Sequence, residues 1–338
     1  MVILVPNKPP HSILLVCQVS AAIGIGHLTR MLVLADALQQ VGIPDFQLLI
    51  SGESILNREL DQTPHRFVSA DEDLCLEVRR QVRVFSPSVV IYDLCSQAFP
   101  DDLSDLFVWL SEQGVSQVGV DAVFPFCQYL DLVWIPTFYI DPARLTHCPN
   151  NTKYGWDSYL IRKRLPSQEW QPGSRVLVLT GGSDPTKLCE ILPSMLDVNL
   201  PLDAEVHWVQ GPLSDSPAIP SVPRHKWVVY KAPEGLDNIM VSANYALSVF
   251  GVSFFELLQY GVPTVVFSPY GSKDMHELDA LRCEGVAVVA RSQASVVEEL
   301  KKLMSDAGEA SCYSHVAKSK LNINGAENLA KNILYLIS

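Results

Sequence analysis

The sequence predicts an α/β protein of two doubly wound domains, each a parallel sheet with helices on both faces, enclosing a ligand cleft between them. Three observations carry that prediction. Short apolar runs alternate with helical patterns along the whole chain, as strand–helix–strand units require. The chain has 338 residues, 48% hydrophobic and 18% charged, enough for two domains with sizeable cores. The stretch Leu165 to Ser174 breaks the alternation with Pro166, Pro172 and Gly173 and reads as a linker. The expected domains are 1–165 and 166–338.

Taken in order, strands are expected at 13–19, 46–50, 88–92, 116–120 and 131–135 in the first domain. In the second they fall at 175–180, 205–209, 227–230, 245–249, 263–267 and 286–289. Each is a short apolar run, and the segments between them place apolar residues at helical spacing. Leu28, Met31, Leu32, Ala35 and Leu38 show this directly after the first strand.

Composition narrows the function. Net charge is -12, divided as -6 on each side of residue 165, so no basic face invites nucleic acid or an anionic membrane. The local basic run Arg162-Lys163-Arg164 reads as a solvated helix face. Eight cysteines (17, 75, 95, 127, 148, 189, 283 and 312) include no C-x-x-C pair, which argues against a zinc ribbon or a thioredoxin-like site. Several lie in apolar stretches, as reduced buried thiols do. No run approaches the ~18 apolar residues of a membrane helix, and Met1 to Pro10 lacks a signal-peptide cleavage pattern. A cytoplasmic location is expected, where the sequon at Asn150 carries no meaning.

The chemistry is expected at strand carboxyl ends. Between the first strand and its helix lies Gly24-Ile25-Gly26-His27-Leu28-Thr29-Arg30. Glycines let the chain approach a ligand closely and aim backbone N–H groups and a helix dipole at negative charge. His27, at the start of that helix, adds a group suited to acid–base work. Asp93, at the end of a first-domain strand, either supports His27, binds an acceptor or caps the next helix.

The second domain opens on an apolar strand running into Gly181, Gly182, Ser183 and Asp184. This is either a phosphate cradle or a tight turn in which Ser183 or Asp184 caps a helix. Further on, Gly251, Val252 and Ser253 link a strand to a helix carrying Glu256. Glu256 is suited to gripping a ribose diol. Equally, Ser253 and Glu256 have the spacing of a capping box. A third loop, Ser268 to Leu278, brings Lys273, Asp274, His276 and Glu277 to a helix start.

Two patterns read as decoys. Asp71-Glu72-Asp73 matches a metal-binding D-x-D, but acidic residues are favoured at the helix start that follows it. Histidines 65, 147, 207, 225 and 315 have no metal-site spacing and read as surface or loop residues.

These motifs together resemble nucleotide-sugar enzymes of the two-Rossmann-domain (GT-B) architecture. Within it the chain is similar to the peptidoglycan N-acetylglucosaminyltransferase and to the UDP-sugar hydrolase of pseudaminic acid synthesis. The hydrolase-like parts are Gly24 to His27 with Arg30, Ile91 to Asp93, Lys153 to Arg162, and Leu179 to Asp184. The resemblance implies two Rossmann-like domains, with the last helix a candidate to pack back on the first. It also implies that His27 lies at the reacting centre, with Asp93, and that Gly181, Gly182, Ser183, Gly251, Val252 and Ser253 hold the diphosphate. Glu256 binds the ribose and the Lys231-Ala232-Pro233 backbone the base, while Gly26, Asp274, His276 and Glu277 face the sugar.

Two departures stand out: Cys95 replaces a tyrosine of the hydrolase, and His276 and Glu277 replace two sugar-binding glutamines of the transferase. The expected protein is a metal-independent inverting glycosyltransferase, using a nucleotide-diphosphate sugar (a UDP-sugar) and a small soluble acceptor, with no nucleic-acid partner and no integral membrane segment. The alternatives are a nucleotide-sugar hydrolase and a non-catalytic nucleotide-sugar-binding protein.

Overall fold

A computed structural model describes residues 11–55, 58–141, 145, 151–233, 235–321 and 324–337. Met1 to Pro10, His147, Cys148 and Asn150 therefore lie outside the described residues. The first sheet contains β1 (Ile13–Val19), β2 (Phe46–Gly52), β3 (His65–Val68), β4 (Val89–Asp93), β5 (Ser116–Val120), β6 (Leu132–Trp134) and β7 (Thr152–Lys153). They are parallel, in the order β3-β2-β1-β4-β5-β6-β7. The second sheet holds β8 (Arg175–Leu179), β9 (Glu205–Gln210), β10 (Lys226–Lys231), β11 (Tyr245–Val249), β12 (Thr264–Phe267) and β13 (Val288–Val289). It too is parallel, in the order β10-β9-β8-β11-β12-β13.

Alternation along β1 explains the layering. Ile13, Leu15, Cys17 and Val19 pack into one core and Leu14 and Val16 into the other, because successive side chains leave opposite faces of a strand. The first core also takes Leu28, Met31 and Leu38 of α1 (Gly26–Gln40) and Leu329, Ala330 and Ile333 of the final helix, α11 (Gly325–Ile337). The chain thus ends against its first helix. Strands β3 and β7 escaped the sequence pattern because both are short, partly exposed edges, and β7 spans only two residues. Residues 161–174 contain no helix or strand, so Arg162-Lys163-Arg164 is not a helix face.

Each sheet has one topological switch point, between β1 and β4 in the first and between β8 and β11 in the second. The crevice beyond the strand carboxyl ends at such a point is where open α/β sheets bind ligands. Gly24 to Gly26 follow β1 and Asp93 ends β4; Gly181 to Ser183 follow β8 and Gly251 follows β11. Among the described residues, no helix is long and apolar enough to cross a membrane.

Candidate active site

The glycine turns of the two domains meet. Gly24 and Gly181 hold φ of +85° and +93°, a region costly for any residue with a Cβ. A Cβ on Gly182 would stand 2.6 Å from Ile25 Cγ1, and one on Gly26 would stand 3.8 Å from Val252 Cγ2. Beside this contact opens a cavity of about 840 Å³ walled by both domains. Gly26, Gly181, Gly182 and Ser183 line it, as do Ala232, Gly251, Val252, Ser253 and Glu256. Ala232 sits at the end of β10 with φ of +39°, strain of the kind that gathers at ligand sites.

Two helices begin at this wall without a side-chain cap. α1 starts behind Ile25 and α7 (Val252–Tyr260) behind Gly251, and among the described residues no side chain bonds the first N–H groups of either. Those donors and the positive helix ends are thus left for a ligand. His27 is the second residue of α1, one place later than the sequence suggests. α5 (Leu188–Asn199) is different: buried Asp184 accepts from the N–H groups of Leu188 and Cys189 at 2.9 and 2.8 Å. The capping alternative therefore describes Asp184, while Gly181, Gly182 and Ser183 open onto the cavity.

The capping-box alternative for Ser253 and Glu256 fails on register. α7 begins at Val252, so Ser253 is its second residue and Glu256 its fifth, whereas a box needs the N-cap and third positions. Glu256 lines the cavity instead. Burial pushes its carboxyl up to about 7, helped by Asp237 and resisted by Arg162 and Arg164.

His27 belongs to a buried charge cluster. Its Nδ1 lies 2.7 Å from Asp93 Oδ1, and an ionised carboxylate only accepts, so Nδ1 carries the hydrogen. Arg30 grips the same carboxylate from Nε at 2.8 Å and Nη2 at 2.7 Å, and reaches Asp121 at 2.9 Å through Nη1. Asp93 has no exposed surface to offer an acceptor, and its two oxygens bond His27 and Arg30 while the helical turn that follows has no side-chain cap; it holds His27. Burial opposes charge on the imidazole, yet the Asp93 charge and hydrogen bond outweigh it and raise the pKa to about 9. His27 is the largest influence holding the thiol of Cys95, two residues after Asp93, below the ordinary thiol pKa.

Asp274, His276 and Glu277 are not in the cavity wall; of their loop, Tyr270 is. Asp274 stands at the start of α8 (Met275–Glu284) and accepts from Ser268 Oγ at 2.5 Å, while His276 is exposed. The structure also brings to the cavity residues whose pairing carries no local signal in the sequence. Arg162 pairs with Asp36 at 2.5 Å and Glu59 at 2.7 Å, and Arg164 pairs with Glu59 and, at 3.6 Å, with Asp237. Arg162, Arg164, Glu59 and Asp237 all line the cavity, so this network ties the first domain to the second. The basic tripeptide was visible in the sequence, but partners more than a hundred residues from Arg162 and Arg164 leave no local signal.

The surface-or-loop reading of the histidines needs correction. His207 and His225 are buried, and His207 Nδ1 bonds the Tyr230 hydroxyl at 2.9 Å. His65 lies on edge strand β3. Asp73 of the D-x-D pattern caps α3 (Leu74–Phe85) by accepting from Leu76 N–H at 2.9 Å. Its carboxylate also lies within 4.8 Å of potential ligand atoms on Cys75 and Asp102, but none of the three lines the cavity.

Two parallel sheets with facing switch points and a shared cleft are the GT-B fold. Solved structures share it across nearly the whole chain. MurG of Acinetobacter baumannii is 15% identical with a TM-score of 0.61, over 96% of this chain and 100% of that one. A complex of S. aureus MnaA with UDP gives 12% and 0.63, over 96% of each chain. The spinosyn forosaminyltransferase SpnP gives 12% and 0.66, over 96% and 98%. No protein-family model and no curated protein matches the chain.

Proposed function

We propose that the protein is a metal-independent inverting glycosyltransferase that takes a UDP-sugar and a small soluble acceptor. The observation that carries this reading is the meeting of two uncapped helix N-termini, α1 and α7, at one cavity, whose wall includes Gly26, the residue before the Asp93-bound His27. Free N–H groups and two positive helix ends suit a diphosphate and stabilise the charge that develops as it leaves. Gly181, Gly182, Ser183, Gly251, Val252 and Ser253 surround that position, Glu256 accepts from the ribose hydroxyls, and backbone at Ala232 meets the base. Gly26 borders the sugar, and Asp274, His276 and Glu277 approach it from the loop behind Tyr270.

His27 Nε2 takes the proton of the acceptor hydroxyl as its oxygen attacks the anomeric carbon from the face opposite the diphosphate. Asp93 stabilises the resulting imidazolium and fixes the ring, a positioning role. The MnaA structure, which shares this fold, contains UDP.

The test is product analysis with a panel of nucleotide sugars and acceptors. UDP released only when acceptor is present, with a new glycoside of inverted configuration, supports the proposal. Free sugar released without acceptor means hydrolysis, and binding without turnover means a binding protein; either outcome overturns it.

A further inference from the structure

We propose that Asp121 is a positioning residue for the reaction: it holds the outer arm of Arg30 and offsets its charge, so that Asp93 is left to secure His27. Its effect on turnover rests on His27 being the base of the proposed transfer; its effect on the ring itself does not.

Asp121 follows Val120, the last residue of β5 and the register partner of Asp93 on β4. Two neighbouring strand ends thus bring both carboxylates to one guanidinium. Arg30 gives Nε and Nη2 to Asp93, and Nη1 to Asp121 Oδ2 at 2.9 Å. The backbone of Asp121 is left-handed, with φ of +58°, a conformation rare outside glycine and tolerated best by asparagine and aspartate. Strain of that kind persists where the surrounding structure enforces it. Asp121 begins a short 3₁₀ segment (Asp121–Tyr129) that has no side-chain cap among the described residues. The usual use of an acid at a helix start therefore does not account for it.

A second carboxylate is needed because Arg30 comes so close to the ring. Its Nη2 stands 3.1 Å from His27 Nδ1. Both nitrogens carry hydrogens once Nδ1 donates to Asp93, so this approach repels. Burial lowers the pKa of His27, Asp93 raises it, and Arg30 lowers it again. With Asp121 in place, the positive charges of His27 and Arg30 are matched by the negative charges of Asp93 and Asp121. Without it one positive charge is left over, and a guanidinium does not give up its proton. The Cys17 thiol of β1 is held neutral by burial. Tyr159, which feels the charges of both Asp121 and Glu277, is likewise held neutral by burial. His27 and Cys95, the latter also near Lys273, remain as groups able to release a proton. Of the two, His27 is the one in contact with Arg30.

The test is Asp121→Asn, which keeps the shape and tolerates the left-handed backbone while removing the charge. Asp121 is 41% exposed, so its pair with Arg30 holds little of the fold's stability. Imidazole resonances of protein labelled with ¹⁵N-histidine give the His27 titration directly, and His27→Ala identifies the signal. The midpoint is expected to fall by about one pH unit from a wild-type value of about 9, the low end of what a neighbouring charge imposes. The rise of kcat/KM with pH should move down with it, leaving Asp121→Asn roughly three- to tenfold faster than the wild type at pH 7. A residue that only supports the fold gives no such gain. Asp121→Gly, which also suits left-handed backbone, should shift the midpoint in the same direction. An unchanged or raised His27 midpoint in these variants overturns the proposal. A lowered midpoint without a matching shift in rate upholds the role of Asp121 and removes His27 as the base. A lowered midpoint in a protein that turns over no nucleotide sugar likewise upholds it and defeats the assigned function.

Discussion

Arg30 holds both oxygens of Asp93, at 2.8 Å from Nε and 2.7 Å from Nη2, and so presents the carboxylate to His27 in one fixed orientation. Planar two-point pairing of this kind is what guanidinium offers and an ammonium does not. The orientation of the imidazole is therefore set by residues one and two layers behind it.

Replacing Asp93 by asparagine keeps the shape and removes the charge. Arg30 and His27 then share no buried anion, and unpairing a buried cation costs about 3–5 kcal/mol. Urea unfolding should show a loss toward the lower end, because Arg30 keeps Asp121. A change below about 1 kcal/mol would mean that the cluster carries little of the fold's stability.

The pH profile follows from the sign of the His27 shift. With a pKa raised to about 9, the ring is mostly imidazolium at neutral pH and only its neutral form accepts a proton. If His27 is the base, kcat/KM should rise about tenfold per pH unit up to about 9 and then level. In His27→Ala the rise should vanish and turnover fall ~10²–10⁴-fold, with UDP affinity nearly unchanged. A rate flat from pH 6 to 9 in the wild type would remove His27 from the reaction.

Glu256 gives a second, separate pH dependence. Ribose hydroxyls donate to the carboxylate, so binding favours the ionised form of a group raised to about 7. UDP-sugar affinity should therefore weaken as pH falls below about 7, with proton release detectable by calorimetry in buffers of different ionisation enthalpy. Glu256→Gln should abolish the linkage and cost on the order of 1–3 kcal/mol of binding, one to two decades in Kd, without lowering Tm. Equal affinity of both proteins would take Glu256 out of the ribose site.

Contact between the glycine turns predicts a steric effect. A methyl on Gly182 would meet Ile25 Cγ1 at 2.6 Å, so Gly182→Ala should push the domains apart and weaken UDP-sugar binding roughly tenfold. Ile25→Ala combined with it should restore most of the loss, since relief of one clash makes the pair non-additive. A double variant no better than Gly182→Ala alone would show that the two turns do not meet in solution.

Arg162 joins α1 to α2 (Arg58–Asp61) through Asp36 and Glu59. Since Asp36 and Glu59 are partly exposed, Arg162→Ala should cost only about 1 kcal/mol in urea unfolding. Its clearer readout is Glu256, whose pKa should climb above 7 once a nearby cation is lost. A carboxyl titration unchanged by the substitution would contradict that coupling.

What the sequence determined by itself was local in origin. The α/β class and most strands follow from runs such as Ile13–Val19 and Tyr245–Val249, because apolar periodicity is written over a few neighbouring residues. The glycine turns were legible for the same reason, since left-handed backbone at Gly24 and Gly181 must be encoded where it occurs. Which alternatives applied at Asp93, Asp184 and Glu256 was decided only by the tertiary structure. A carboxylate caps a helix, braces a histidine or lines a cavity according to what packs against it. For Asp93 those partners are Arg30 and His27, more than sixty residues away. For Arg164 the partner is Glu59, more than a hundred residues away. Ion pairs at such separations impose no spacing on the chain, so only the closed fold reveals them.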